Sequence, residues 1–409
     1  MDANEVAFDV GAVRAQFPAL AGPAVFLDGP AGSQVPSSVI DAVANYLRTG
    51  NANAGGGFAR SRATDALMVA ARAAFAALVG TDDPEPIVFG PNMTSLTFGL
   101  AHALGRTWNA GDEVVVTRFD HDANVWPWVL AARDAGATIR WGELRTPTGE
   151  LDLEQLAGVI GPRTRLVAVG AASNVTGTIT PLATISRMAH AHGAEVFVDA
   201  VHYAPHRLLD VVAWDCDYVA CSPYKFFGPH AGVLWGRRSR LAELPAYQVR
   251  PATGLAKRWM PGTASFEAIA GARAAVEYLA RLGGGVEAKA EDRGALSAGY
   301  AAIRGHEDAL CRRLLAGLVA LPVTVWGHTD PARIDERVAT IAFTHARHSP
   351  GQVAAALAAR DIQVWAGHFY AVETVHALGL DPSGVVRVGL LHYNDETDVD
   401  RLLAALATL

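Results

Sequence analysis

Short apolar runs recur through the middle of the chain, at residues 87–89, 113–117, 138–141, 166–170, 195–199, 218–221 and 232–235. Stretches of helical period lie between most of them, at 95–106, 125–135, 152–160 and 182–192. Strand-length runs joined by helix-length crossovers predict an α/β domain: a mainly parallel, seven-stranded sheet with helices on both faces. The last two runs are joined by a short loop, which predicts one antiparallel edge strand.

The flanks read differently. Residues 9–20 predict a short helix with Val10, Val13 and Phe17 on one side. A brief strand over 24–27 runs into the turn-rich loop Asp28-Gly-Pro-Ala-Gly32. Helices are predicted over 37–47, behind a Pro-Ser-Ser start, and over the Ala-rich 63–79. Residues 51–60, rich in Gly and Asn, read as a mobile loop, not a phosphate cradle, because no strand precedes Gly55-Gly-Gly57. Beyond an irregular stretch at 236–262, a helix at 266–282 ends at Gly283-Gly-Gly285. A long helical stretch then runs to about residue 321. Strands at 323–326, 338–343, 362–366 and 385–389, with helices at 349–359 and 396–407, predict a smaller α+β domain.

Composition narrows the class. A chain of 409 residues with 51% apolar and 18% charged residues has the make-up of a folded globular protein with a large core. Net charge is −7 and no basic stripe stands out, which argues against nucleic acid or an anionic membrane as partner. Residues 1–9 lack the basic and apolar regions of a secretory signal, and no apolar run has bilayer-spanning length. Cys216, Cys221 and Cys311 are an odd set without metal-ligand spacing, which fits a reduced, cytoplasmic setting. No metal site is expected: His202 and His206 have i, i+4 spacing, but Pro205 between them disfavours a shared helical face. No Gly-Lys pair is present to form a Walker-type loop.

Only three of the 34 basic residues are lysine: Lys225, Lys257 and Lys289. Arg stays charged in proteins, whereas Lys becomes a nucleophilic amine once its pKa is lowered. Lys225 follows the run 218–221 in Ser222-Pro-Tyr-Lys-Phe-Phe-Gly228, at the end of a predicted strand. It is either a Schiff-base lysine or a solvated loop residue. In parallel α/β sheets, ligands sit outside the carboxyl ends of the strands. The other residues there carry matching chemistry. Asn92, Met93 and Thr94 open a helix, whose free N–H groups suit a phosphate or merely take an N-cap. His121 could stack on a planar ring or cap its loop. Asn174 is a hydrogen-bond donor or a turn residue. Asp199 closes a buried run and needs a protonated ring nitrogen or an arginine as partner. A phosphate, a pyridinium nitrogen, a planar ring and a lysine amine are together the demands of pyridoxal phosphate.

At these residues the sequence resembles the class V aminotransferase family, and within it the cysteine desulfurases and selenocysteine lyases, from about Phe17 to Leu406. The motifs are Asp120-His-Asp-Ala-Asn124 with Trp126-Pro-Trp128, Ser173-Asn-Val-Thr-Gly177, Val198-Asp-Ala-Val-His202, Ser222-Pro-Tyr-Lys-Phe-Phe-Gly228, Pro261-Gly-Thr263 and Val386-Arg-Val-Gly-Leu390. The resemblance implies the fold of the type I pyridoxal-phosphate transferases. A large cofactor-binding domain would span 21–285, and a small α+β domain 1–20 with 286–409. It implies that Lys225 carries the Schiff base, Asp199 pairs with the ring nitrogen and His121 stacks on the ring. Asn92, Met93, Thr94 and Ser222 would hold the phosphate, with Asn174 and His202 near the ring substituents. Thr263 would reach the phosphate of a partner subunit, in a homodimer with shared sites. Arg387 would bind the carboxylate of an amino-acid substrate.

The departures from the family pattern bear on the reaction. His202 replaces a Gln, Tyr224 replaces a His, and Asn92-Met93 replaces Thr-Thr. In Gly367-His-Phe-Tyr-Ala371, Tyr370 stands where desulfurases carry the persulfide-forming cysteine, and Trp365 stands for an Arg nearby. Cys216 and Cys221 flank a predicted buried strand and Cys311 sits in a helix, so none takes over that role. The expectation is a carbon–sulfur lyase working by β-elimination without an enzyme persulfide. An aminotransferase or an epimerase is the alternative, and a non-catalytic pyridoxal-phosphate-binding protein the alternative of another class. Residues 51–60, Trp365, Phe369 and Tyr370 are expected to line the substrate pocket, with Asn174 and Tyr370 also placed to touch the substrate.

Overall fold

A computed structural model describes residues 8–146 and 148–409. The signal-peptide reading over 1–9 falls mostly outside them, as does the start of the 1–20 segment. The central sheet has seven strands, in the spatial order Ile87–Gly90, Gly232–Gly236, Tyr218–Cys221, Glu195–Asp199, Thr164–Gly170, Glu113–Thr117, Thr138–Gly142. All seven predicted strands are there, with ends shifted by at most two residues.

Alternate residues of these strands feed two separate cores. Val115, Val167, Val169, Val196, Val198, Val219 and Val233 join one face, packed against helix residues Phe75, Ile185 and Leu279. Val114, Val116, Leu166, Ala168, Phe197, Ala220 and Leu234 join the other, with Leu100, Trp128 and Ala132. Both faces of the central strands are covered, so their runs are mostly apolar, whereas the edge strand Thr138–Gly142 alternates exposed Thr138 and Arg140 with half-buried Ile139 and Trp141.

The antiparallel strand needs a correction. Gly232–Gly236 is not at the edge. It pairs antiparallel with Ile87–Gly90 on one side and Tyr218–Cys221 on the other. The first strand of the sheet in sequence takes the edge, and loop length alone carries no information about that outer neighbour.

A second sheet follows the order Val323–Trp326, Thr340–His345, Val385–Gly389, Trp365–Gly367. Its core holds Ile341, Phe343, Val386 and Val388 with Val353, Leu357 and Leu402. The run expected at 338–343 pairs only from Thr340, because Val338 donates its N–H to Gly177 O instead. The run expected at 362–366 divides: Ile362–Gln363 pairs in parallel with Val25–Phe26, and Trp365–Gly367 joins the sheet. Val13 and Phe17 pack in the larger core and Leu27 in the smaller one. Helix Arg293–Leu318 contributes Tyr300 to the first and Leu314 to the second. We propose a division into 21–285 and the remainder, with this helix packing in both cores. Among the described residues, no helix is long and apolar enough to cross a membrane.

Candidate active site

The carboxyl ends of the central strands and one strand of the second sheet enclose a cavity of about 570 Å³. Asn92, Met93, Thr94, His121, Asn174, Asp199, His202, Ser222, Lys225, Tyr370 and Arg387 all line it. Thr263 does not: it is exposed and lies beside a different hollow. The loop 51–60 does not line the cavity either, contrary to expectation. Gly55 N donates to the Asp65 carboxylate at 3.0 Å and Gly56 N to Ser61 Oγ at 2.6 Å, which folds the loop back onto helix Ala59–Val79.

One end of the cavity is the N-terminus of helix Met93–Gly105. Asn92 Oδ1 accepts from Ser95 N at 2.8 Å, so this side chain is an N-cap. Met93 buries its thioether in the core and donates its N–H to Ser222 Oγ at 3.1 Å. Gly232 lies against this turn so closely that an added methyl would overlap the Asn92 backbone. A Gly232→Ala variant is therefore expected to push the helix start aside. It should lose about 1–3 kcal/mol of stability in thermal unfolding, and bind pyridoxal phosphate more weakly in a titration.

Lys225 is delivered by the 3₁₀ turn Pro223–Lys225, which ends the strand Tyr218–Cys221. Its Nζ donates to Pro30 O at 2.5 Å and lies 4.8 Å from the centre of the Tyr224 ring, which in turn stacks on His230. Burial lowers its pKa to about 7, and the Arg387 charge acts in the same sense, against Asp199 and Asp28. Asp199 accepts from Val201 N at 2.8 Å. Burial pushes it up to about 6, opposed by that hydrogen bond and by Lys225. His121 accepts from Ala123 N at 3.0 Å and is lowered to about 4 by burial, then by Lys225 and Arg387, so it is neutral at neutral pH. His202 Nε2 shares a hydrogen bond of 3.0 Å with Thr340 Oγ1 of the second sheet, and burial drives its pKa downward too.

Arg387 enters from the strand Val385–Gly389. Its Nη1 donates to Asn174 O at 2.8 Å and its guanidinium lies 4.0 Å over the Phe369 ring. Burial lowers its pKa to about 9. Asn174 Nδ2 donates to Phe369 O at 3.1 Å, while its Oδ1 is buried with no partner.

Several contributors were not assigned from the sequence. Asp120 lines the cavity, accepting from the Thr117 hydroxyl and, at 2.9 Å, from Asn124 Nδ2, whose own Oδ1 accepts from Trp128 Nε1 at 3.1 Å. Burial raises Asp120 to about 7, and the nearby Asp199 charge adds to the rise. It opens the motif Asp120-His-Asp-Ala-Asn124, so the signal was present. Asp28, with Oδ1 buried and unpaired, and Pro30 belong to a loop legible only as turn-rich. The three cysteines are free, buried and outside the lining, and burial drives the Cys216 and Cys221 thiols upward.

Comparison with known proteins agrees in family. The sequence matches the description "Aminotransferase class-V" over residues 25–402. It is 34% identical over 412 residues to the Aminotransferase-like protein FGM3 of Gibberella zeae, with 98% of each chain covered. It is 33% identical over 422 residues to a cysteine desulfurase of Dickeya dadantii, covering 98% of this chain and 96% of that one. Among solved structures, the apo cysteine desulfurase of Thermococcus onnurineus NA1 is similar at a TM-score of 0.88 and 25% identity, with 97% of both chains covered. The cysteine desulfurase CsdA of Escherichia coli is similar at 0.84 and 26%, again over 97% of both.

Proposed function

The chain belongs to the class V aminotransferase family of pyridoxal-phosphate enzymes, and from that premise we propose that it is a carbon–sulfur lyase acting on an amino acid. It would release the sulfur by β-elimination, with no cysteine of its own to carry it. The observation that supports this most directly is the make-up of the cavity. Lys225, Asp199 and Arg387 share it with Tyr370, while all three cysteines are buried outside it.

The donor set fits the cofactor. Asn174 Oδ1 is a buried acceptor without a partner, and a helix N-terminus closes one end of the space. Thr94, the backbone at Asn92 and Met93, and Ser222 would hold the phosphate. Asp199 would face the ring nitrogen, His121 the ring, and His202 and Asn174 the ring substituents. When bound, pyridoxal phosphate supplies an electron sink for the pair left at Cα. The rest is the work of the chain. Arg387, braced by Asn174 O and the Phe369 face, holds the substrate carboxylate in a bidentate fork. Lys225 Nζ, half neutral at about pH 7, takes the Cα proton. Asp199 is charged above about pH 6 and holds a proton on the atom it faces. Loss of the β-sulfur then completes the reaction.

A homodimer with shared sites and a cytoplasmic location belong to the same proposal. The exposed Thr263, left outside the cavity of its own chain, supports the first, and three unpaired cysteines support the second. The test is a screen of amino acids with the cofactor-loaded protein, assaying thiol or sulfide, pyruvate and keto acids together. Thiol or sulfide in step with pyruvate is the expected result. A keto acid keeping the substrate's side chain, with no sulfur released, would replace the lyase by an aminotransferase.

A further inference from the structure

We propose that the side-chain end of this cavity is built for an aromatic group carried on sulfur, so that the substrates are S-aryl or S-arylmethyl cysteines and not cysteine itself. This rests on the lyase reading above. Phe98, Trp126, Trp365, Phe369 and Tyr370 line the cavity from three separate parts of the chain. In the single chain three of them are half or more exposed: Trp126 50%, Trp365 52% and Tyr370 68%. Large apolar side chains left wet around one opening mark a surface that an apolar ligand completes. Rings favour rings there, through edge-to-face and offset contacts.

The wall is fixed in place at a cost. Phe369 and Tyr370 both have left-handed backbones, with φ of 52° and 59°. Non-glycine residues hold such angles only where their surroundings enforce them. Here Asn174 Nδ2 donates to Phe369 O, Asp122 N donates to Tyr370 O at 2.7 Å, and Tyr370 N donates to His368 Nδ1 at 3.1 Å. Asn174 also braces Arg387, and the Phe369 ring lies under the same guanidinium. The carboxylate anchor and the Phe369–Tyr370 part of the wall are thus held together through Asn174. A substrate held at Arg387 presents its side chain to the wall at a fixed distance.

Charge selects in the same direction. Among the described residues, Lys225 and Arg387 are the lysine and arginine of the lining, and both are committed by the mechanism. Asp122 adds a carboxylate beside Tyr370, which disfavours an acidic side chain. The elimination also explains why no cysteine is needed. Lys225 takes the Cα proton, the Cβ–S bond breaks with its electron pair on sulfur, and the thiolate gains a proton from water at the rim. The three-carbon enamine left behind takes up water to give pyruvate and ammonium. The sum is thioether amino acid plus water to thiol, pyruvate and ammonium, with no redox change and no sulfur atom left to be carried.

The test compares S-benzyl-L-cysteine, S-methyl-L-cysteine and L-cysteine on the cofactor-loaded enzyme, following thiol or sulfide and pyruvate. The expected kcat/KM for the benzyl compound exceeds that for the methyl compound by at least about tenfold, within the range an apolar pocket discriminates. Trp365→Ala and Tyr370→Ala should each reduce that ratio, chiefly through KM. The cofactor absorbance band, unchanged in both variants, reports that they are folded and loaded. A smaller wild-type ratio, or cysteine as the best substrate, with pyruvate still formed, overturns this inference and leaves the lyase standing. Keto acid without thiol, or no product, from every thioether overturns the lyase reading and this inference with it.

Discussion

Lys225→Ala is expected to yield a folded protein that no longer fixes pyridoxal phosphate to its chain. The other two lysines are poor substitutes: Lys257 and Lys289 are exposed and line no part of the cavity. Only Lys225 combines burial, a lowered pKa and a place beside Asp199 and Arg387. Borohydride treatment of the loaded wild type should bleach the chromophore and leave a covalent adduct on the peptide containing Lys225, read by mass spectrometry. The alanine variant should show no adduct and lose at least about 10²–10⁴ in kcat, the usual contribution of a positioned base. The rate of cofactor uptake by the apo-protein should rise with pH through about 7 and then level, because the neutral amine is the reacting form and Lys225 is lowered to that value. An adduct recovered from Lys257 or Lys289 would remove Lys225 from the mechanism. So would a plateau reached only near the pKa of an ordinary lysine.

What the sequence reveals and what it hides divides along physical lines. The inner strands of the large sheet were legible because both faces are covered, so their runs are mostly apolar and end where polar residues begin, while the edge strand Thr138–Gly142 showed only as Ile139 and Trp141 alternating with polar Thr138 and Arg140. The same boundaries put Asn174, Asp199 and Lys225 at strand ends, which is why part of the site could be assembled from strand order alone. Arg387 came only with the family resemblance. It sits within a strand of the second sheet, paired with Ala342 and Trp365, and nothing in that local pattern says it faces a cavity of the first. Thr340 as the partner of His202, and Pro30 O as the acceptor for Lys225, are contacts across 138 and 195 residues. No local periodicity encodes such pairs. The outer position of Ile87–Gly90 and the folding-back of loop 51–60 onto Asp65 and Ser61 are likewise matters of tertiary packing.

Asp199→Asn carries the second large effect, and its consequences separate charge from shape. Asparagine has nearly the outline of aspartate, and its amide oxygen can still accept the Val201 N–H, so the strand end should keep its geometry. What disappears is a buried negative charge 26 residues before Lys225 in sequence but close enough to raise that lysine's pKa. Removing a preorganised charge that stabilises the transition state typically costs 10²–10³ in rate. The expected loss is therefore about 10²–10³ in kcat, with kcat/KM falling in parallel because the interaction matters in the transition state more than in binding. Cofactor content, measured after alkaline release, should change little, since Lys225 and the helix end remain. The pH dependence supplies an independent check. Asp199 opposes the lowering of Lys225, so its loss should move the rise in cofactor uptake to a pH below about 7, not above it. Asp120, raised in part by the same charge, should become easier to ionise. A variant with kcat within a few-fold of wild type and an unmoved uptake profile would show that Asp199 is a structural carboxylate held for Val201, with no charge facing the reaction.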